Sequence, residues 1–95
     1  MKINNLEVYG IIYKITNKIT KKVYVGKTKN GFEIRYGNDI YKNTHNRYLK
    51  QDIKKYGIDS FEINKELDYA FSKEELNIKE KVLYTRYSAI YRGYF

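Results

Sequence analysis

Two short β-rich segments separated by a polar tetrapeptide constrain this chain more than any other feature of it. Residues 10–16, Gly-Ile-Ile-Tyr-Lys-Ile-Thr, alternate in the manner of a strand, and residues 22–26, Lys-Val-Tyr-Val-Gly, read as a second one. Between them, Asn17-Lys18-Ile19-Thr20 has the length and polarity of a hairpin loop. Closing that loop symmetrically sets Thr16 opposite Lys21, Tyr13 opposite Tyr24 and Ile11 opposite Gly26. Opposed residues of an antiparallel pair share a face, with Cβ atoms about 5 Å apart, so the two tyrosines are expected side by side. Gly26, lacking a side chain, is expected to leave room for something to approach the sheet.

Downstream, the patterning turns helical. Phe32, Tyr36 and Ile40 repeat every four residues, and Asn30 and Glu33 have N-cap and N3 spacing, so a helix is expected over 31–42, weakened by Gly37. A second helix is expected over Arg47–Tyr56, with Leu49, Ile53 and Tyr56 on one face and Gly57 as its stop. Residues 61–67 read as a third strand. Ser72 and Glu75 then form a capping box, and Leu76, Leu83 and Tyr87 follow as one apolar stripe. The fold class is α/β in the α+β sense: a three-stranded antiparallel sheet flanked by three helices, in the order β-β-α-α-β-α.

Ninety-five residues allow one core, so residues 1–95 are read as a single domain. The chain has no cysteine, which excludes a disulfide framework and any thiolate metal site. No apolar run approaches the roughly 20 residues that span a bilayer, and the first residues lack a signal-peptide core, so the expectation is a cytoplasmic protein without a membrane partner. The net charge of +8 points to a polyanion, and its distribution is uneven. Residues 14–29 hold six lysines and no acid, and residues 42–55 hold five basic residues and one acid, whereas residues 59–80 hold seven acids and three lysines. One part of the surface is thus expected to meet phosphate.

Several residues look chemical. Glu80 falls inside the apolar stripe of the last helix, where a carboxylate needs a cation, either a basic side chain or a metal. A lone carboxylate combined with waters and substrate phosphates suits a hard divalent ion such as Mg²⁺. Arg35, beside the apolar face of the first helix, is either a phosphate clamp or a solvated arginine. The cross-strand pair Tyr13 and Tyr24 is either packing or catalytic. His45 is the only histidine.

Taken in order, these residues resemble the GIY-YIG nuclease superfamily, in particular the nuclease halves of phage and intron homing endonucleases. The two name-giving motifs stand here as Ile11-Ile12-Tyr13 and Tyr24-Val25-Gly26. Arg35, the segment 45–57, Phe61-Glu62-Ile63, Glu80 and a closing Gly93-Tyr94 continue the pattern over nearly the whole chain.

The resemblance implies a metal-dependent DNA endonuclease. Tyr13 would help activate the attacking water and Tyr24 would orient water or phosphate. Arg35 would stabilise charge on the scissile phosphate, His45 would support the site, and Glu80 would bind Mg²⁺ (or Mn²⁺). Lys14, Lys22, Lys27, Lys29, Arg47 and Lys50 are the expected nucleic-acid contacts. A tyrosine with a pKa near 10 is a poor base unless cations lower it, and Lys14, Lys22 and Lys27 are candidates for that role. The expected partner is DNA, met by a weakly selective nuclease acting alone, by a homodimer that cuts both strands, or with a separate targeting protein. The tyrosine-rich end (Tyr84, Tyr87, Tyr91, Tyr94) fits an interface or core packing equally.

The chain also departs from the family pattern. Ile11 stands where the first motif has glycine, with Gly10 one step earlier, and Asp39 stands where homing relatives often carry histidine. Phe95 stands where the family continues with asparagine. The alternative reading is a non-catalytic nucleic-acid-binding module that keeps the fold.

Overall fold

The computed structural model describes residues 2–29, 31–37, 39–90 and 94, with the side chains of 88–90 left out. The elements are β1 (Lys2–Ile3), β2 (Leu6–Glu7), β3 (Gly10–Asn17), β4 (Val23–Thr28), α1 (Phe32–Tyr36), α2 (Ile40–Asn43), α3 (Arg47–Tyr56), a 3₁₀ turn (Ile58–Ser60), β5 (Phe61–Ala70) and α4 (Lys73–Ile90). The expected three-stranded antiparallel sheet is present in the order β4-β3-β5, and β1 and β2 form a separate hairpin. That hairpin turns on Asn4 and Asn5, with φ of 51° and 66°. Asparagine tolerates the left-handed region better than other non-glycine residues, so an Asn-Asn pair can form such a turn without the glycine that usually signals it.

The sheet is sandwiched, and β3 is covered on both faces. Ile11, Tyr13 and Ile15 pack with Phe32, Tyr36, Ile40, Leu49 and Ile53 of α1–α3. Ile12 packs on the other side with Val23, Val25, Ala70 and Leu76, the last from α4. Double coverage explains why Gly10, Ile11, Ile12 and Tyr13 are all buried although the sequence alternates. It also gives Gly10 a purpose: a Cβ there would come within 2.7 Å of Leu76 Cδ2, so the glycine lets α4 settle on the sheet.

The hairpin register differs from the symmetric closure. Tyr13 pairs with Gly26, Ile15 with Tyr24, and Ile11 with Thr28. Asn17 is the cause. Its side-chain Oδ1 accepts the backbone N–H groups of Ile19 (2.9 Å) and Thr20 (3.2 Å), while its own N–H donates to the Lys22 carbonyl at 2.9 Å. The loop therefore closes on Asn17 and Lys22, with Lys21 at φ 67°, two residues out of the expected register. A shift of two preserves faces, so Tyr13 and Tyr24 remain on one side as diagonal neighbours with ring centroids 6.1 Å apart.

The helices follow their local signals, with one break. The expected helix over 31–42 is two helices, because Gly37 adopts φ 60° and donates its N–H to Glu33 O at the end of α1. Asp39 restarts the chain as N-cap of α2, accepting the Lys42 N–H at 2.9 Å. Asn30, the expected first cap, lies outside the described residues. Helix α3 has the expected bounds, capped by Asn46 Oδ1 at Leu49 N (2.9 Å) and ended by Gly57 at φ 85°. At α4, Ser72 Oγ accepts the Glu75 N–H (3.1 Å) and the Glu75 carboxylate accepts the Phe71 N–H (2.7 Å), a capping box displaced by one residue on its return arm. Strand β5 runs three residues beyond the expected end. It accommodates two extra residues opposite Tyr13, between the pairs Ile12–Asp68 and Lys14–Asn64.

The space above Gly26 is filled by the Tyr13 ring, which a Cβ at position 26 would strike. Gly26→Ala is expected to destabilise the domain by about 1–3 kcal/mol through overpacking. Urea unfolding reads this, and an unchanged midpoint would show that the ring does not lie there.

Candidate active site

Tyr13 is 1% exposed, and burying its hydroxyl demands a hydrogen-bond partner. That partner is Tyr36, whose hydroxyl lies 2.6 Å away across the interface between β3 and α1. The Tyr13 ring also meets Phe32 and Tyr36 edge-on, with centroids 5.2 and 5.3 Å distant. Helix α1 is short, but Phe32 and Tyr36 one turn apart seat it firmly on the sheet. Arg35, next in sequence to Tyr36, lays its guanidinium over the Tyr36 ring at 4.6 Å and donates from Nη1 to the Asn43 carbonyl at 2.9 Å. Tyr24, half-buried on edge strand β4, completes this group.

Burial pushes the Tyr13 hydroxyl far above the usual tyrosine value, and the bond to Tyr36 and the neighbouring Tyr24 push the same way. Burial raises Tyr36 also. The cation that acts against both shifts is Arg35, and it is outweighed. The expectation that Lys14, Lys22 and Lys27 acidify Tyr13 is therefore corrected. Lys14 lies over the Tyr87 ring of α4 and Lys27 pairs with Glu80, both across the sheet from Tyr13, while Lys22 lies over Tyr94.

Glu80 sits on α4, across the sheet from Tyr13. Its side chain is 29% exposed, and its Oε1 lies 3.4 Å from Lys27 Nζ, so of the two cations expected for it a basic side chain is the one present. Lys27 also donates to Asn77 Oδ1. A cleft of about 390 Å³ is lined by Tyr24, Val25, Glu80, Lys81 and Tyr84. Tyr24 thus borders both the tyrosine–arginine cluster and the Glu80 cleft, at the edge of β4. A larger concavity of about 590 Å³, between Gly10, Lys29, Phe32 and Lys65, contains none of the expected catalytic residues and is crossed by the Lys65–Glu33 ion pair (2.8 Å).

The remaining expected residues scatter. His45 is exposed in the segment between α2 and α3. Lys29 lies over Tyr9, Arg47 over Tyr48 and Lys50 over Tyr41. Asp39 spends its carboxylate on the α2 cap. Tyr84 lines the Glu80 cleft, Tyr87 packs with the α4-side core, and Tyr91, Gly93 and Phe95 lie outside the described residues.

Of the two readings open for Tyr94, interface or core packing, the structure shows core: it is 3% exposed. Its hydroxyl accepts from Asn17 Nδ2 (3.2 Å) and donates to Asp52 Oδ2 (2.9 Å). Its main chain joins Val23 and Asn46. Burial and the Asp52 carboxylate hold it up at about 12. Tyr36 is a member of the cluster that the residue pattern does not single out. Its only sequence signal is a hydroxyl at a stripe position that Phe could fill.

No group of three or more metal-ligating side chains is found among the described residues, and none of their helices is long and apolar enough to cross a membrane. In fold and in the order of its motifs the chain is similar to a GIY-YIG nuclease domain. The structure superimposes on the catalytic domain of the homing endonuclease I-TevI with a TM-score of 0.71, at 25% identity, covering 90% of this chain and 95% of that one. In sequence it is 44% identical over 55 residues to the candidate endonuclease segC of Enterobacteria phage T4; the match takes in 56% of this chain and 24% of that protein's length. No family model matches the chain.

Tyr36→Phe is expected to cost about 1–3 kcal/mol, because it strands the Tyr13 hydroxyl in the core. The double variant Tyr13→Phe/Tyr36→Phe should recover most of that loss, and a chemical-denaturation cycle on the four proteins decides it. In alkali, Tyr13, Tyr36 and Tyr94 keep their protons in the fold at pH values where the unfolded chain, titrating near 10.0, has released them. The unfolded state then binds fewer protons, so stability should fall as pH rises from about 10 toward 12. Tyrosinate absorbance should rise in a second step coincident with unfolding; full titration with the fold intact would contradict these shifts.

Proposed function

We propose that this domain is an endonuclease hydrolysing DNA phosphodiester bonds at the β4 edge, where Tyr24 joins the arginine cluster to the glutamate cleft. That shared position of Tyr24 is the observation that carries the reading. In-line attack by water builds negative charge on the phosphoryl oxygens, and a preplaced guanidinium neutralises it without reorganisation. Arg35 fills this role: it is half-buried, held by the Asn43 carbonyl and stacked on Tyr36, so its direction is set before substrate arrives. Tyr24 orients the water or a phosphate oxygen. Tyr13, which keeps its proton, acts with Tyr36 as a fixed hydroxyl pair behind Tyr24 rather than as a free base.

Glu80 is the residue that would hold Mg²⁺ or Mn²⁺. One carboxylate suits an ion that keeps most of its waters and takes phosphate oxygens as further ligands. Such an ion would supply Lewis-acid charge at the phosphate. The Glu80 carboxylate already faces a cation, Lys27, so the position suits positive charge, and ion binding requires Lys27 to yield. The same pairing favours the second reading, a nucleic-acid-binding module without turnover, in which Lys27 stays on Glu80. With the endonuclease reading go a cytoplasmic location, a phage or mobile-element setting, and a supporting role for His45, which is exposed between α2 and α3. Phosphate contacts by Lys14, Lys22, Lys29, Arg47 and Lys50 make binding salt-dependent. A homodimer or a targeting protein would supply double-strand cutting or selectivity.

A low-salt assay on supercoiled plasmid tests this. Wild type should cut with Mg²⁺ or Mn²⁺ and stop with EDTA, and Glu80→Ala should bind DNA but not cut. Arg35→Ala should lose roughly 10²–10³-fold in rate. Normal cutting by Glu80→Ala would sink the metal assignment; binding without cutting by wild type would select the second reading.

A further inference from the structure

The outer surface of α2 and α3 carries two exposed tyrosines, each with a cation lying against its ring. Tyr41 is 36% exposed, with Lys50 Nζ 5.2 Å from its ring centroid. Tyr48 is 47% exposed, with the Arg47 guanidinium 5.1 Å from its centroid and Arg47 Nη2 donating to its hydroxyl at 3.1 Å. At 100° per residue, Lys50 and Tyr48 leave α3 on opposite flanks, and Arg47, Gln51 and Lys54 project between them, away from buried Leu49 and Ile53. Two aromatic plates therefore border a basic ridge one helix wide.

The protein does little to neutralise that ridge. Helix α3 has four cations, Arg47, Lys50, Lys54 and Lys55, against Asp52, whose carboxylate takes the Tyr94 hydroxyl. Nearby Asp39 is engaged with the first turn of α2. None of the ion pairs among the described residues includes a cation of this surface. The ridge is also joined to the candidate site, because Arg35 bonds the Asn43 carbonyl at the end of α2.

A helix that exposes positive charge alone would suit the phosphates of any nucleic acid. Exposed rings with one face backed by a cation add a flat, apolar surface that matches a nucleobase face. Duplex DNA hides its base faces within the stack and offers only edges and backbone. We propose that the α2–α3 surface binds a single-stranded DNA segment adjoining the cleavage site, with Tyr41 and Tyr48 stacking unpaired bases and Arg47, Lys50 and Lys54 holding the phosphates between them. This rests on the reading of DNA as substrate and narrows it to sites with unpaired strand beside the scissile bond.

Fluorescence anisotropy in EDTA, with a labelled unstructured single strand and a duplex of equal length, tests it. Tyr41→Ala and Tyr48→Ala should each weaken single-strand binding by roughly 5- to 150-fold, the range of one base–aromatic stack. Tyr48→Phe should bind as wild type, and duplex binding should change by less than about twofold, since a duplex presents no base face. Lys54→Ala should weaken both forms together and lower the salt dependence. Both tyrosines are exposed, and thermal unfolding of each variant checks that the fold is kept. Alanine variants that bind single strands as wild type does, or that lose both forms equally, would overturn the proposal. Wild type binding neither form would overturn it together with the DNA reading. Failure of plasmid cutting with single-strand stacking intact would count only against catalysis.

Discussion

A tyrosine ring laid over a glycine sets the geometry on which the other features depend. Tyr13 points from the central strand into the α1–α3 core, and its ring passes across Gly26 of the neighbouring strand. The ring needs an absent side chain at its partner position, and its hydroxyl, deep in that core, needs a partner. Tyr36 supplies the partner, so α1 must sit where that hydroxyl can reach, and Arg35 is carried to the sheet with it. An unpaired phenol in this position would cost more than the short helix gains from propensity, so the hydrogen bond and the ring packing place α1.

The sheet also divides the chemistry. Arg35 and Tyr36 approach from one side, Glu80 and Lys27 from the other, and edge strand β4 is where they meet. An edge is the one place on a covered sheet where side chains of both faces can share a solvent-filled cleft, and half-buried Tyr24 stands there. The charge blocks read along the chain map onto elements: the basic 42–55 segment forms α3 and the end of α2, whereas the acid-rich 59–80 segment is divided between the 3₁₀ turn, β5 and the start of α4.

Much of the fold was legible because its signals are local. The caps of α3, Asn46 and Gly57, lie within a turn of the groups they satisfy, and the bounds followed from them. The stripe Leu76, Leu83, Tyr87 identified the buried side of α4 for the same reason. Asn17 misled because its side chain is spent on the loop N–H groups and on Tyr94, 77 residues away. Gly37 was counted as a weak point within one helix, whereas its left-handed φ ends α1 outright. Of the cluster the structure brings together, Tyr13, Tyr24 and Arg35 were named from the sequence, but not Tyr36 and not their arrangement. Nothing near Glu80 in sequence announces Lys27, and nothing near Tyr13 announces Tyr36.

By itself the sequence determined which face each strand residue takes, where the long helices begin, and that Tyr13 and Tyr24 share a side. Period-two alternation survives a two-residue change of register, and capping acts over three or four residues. Only the tertiary structure decided that register, the protonation of Tyr13, the pairing of Glu80 with Lys27 and the placing of Tyr24 between two clusters. Each depends on burial or on a charge brought close by the packing of distant segments, and desolvation and Coulomb terms follow spatial distance, which spacing along the chain does not encode.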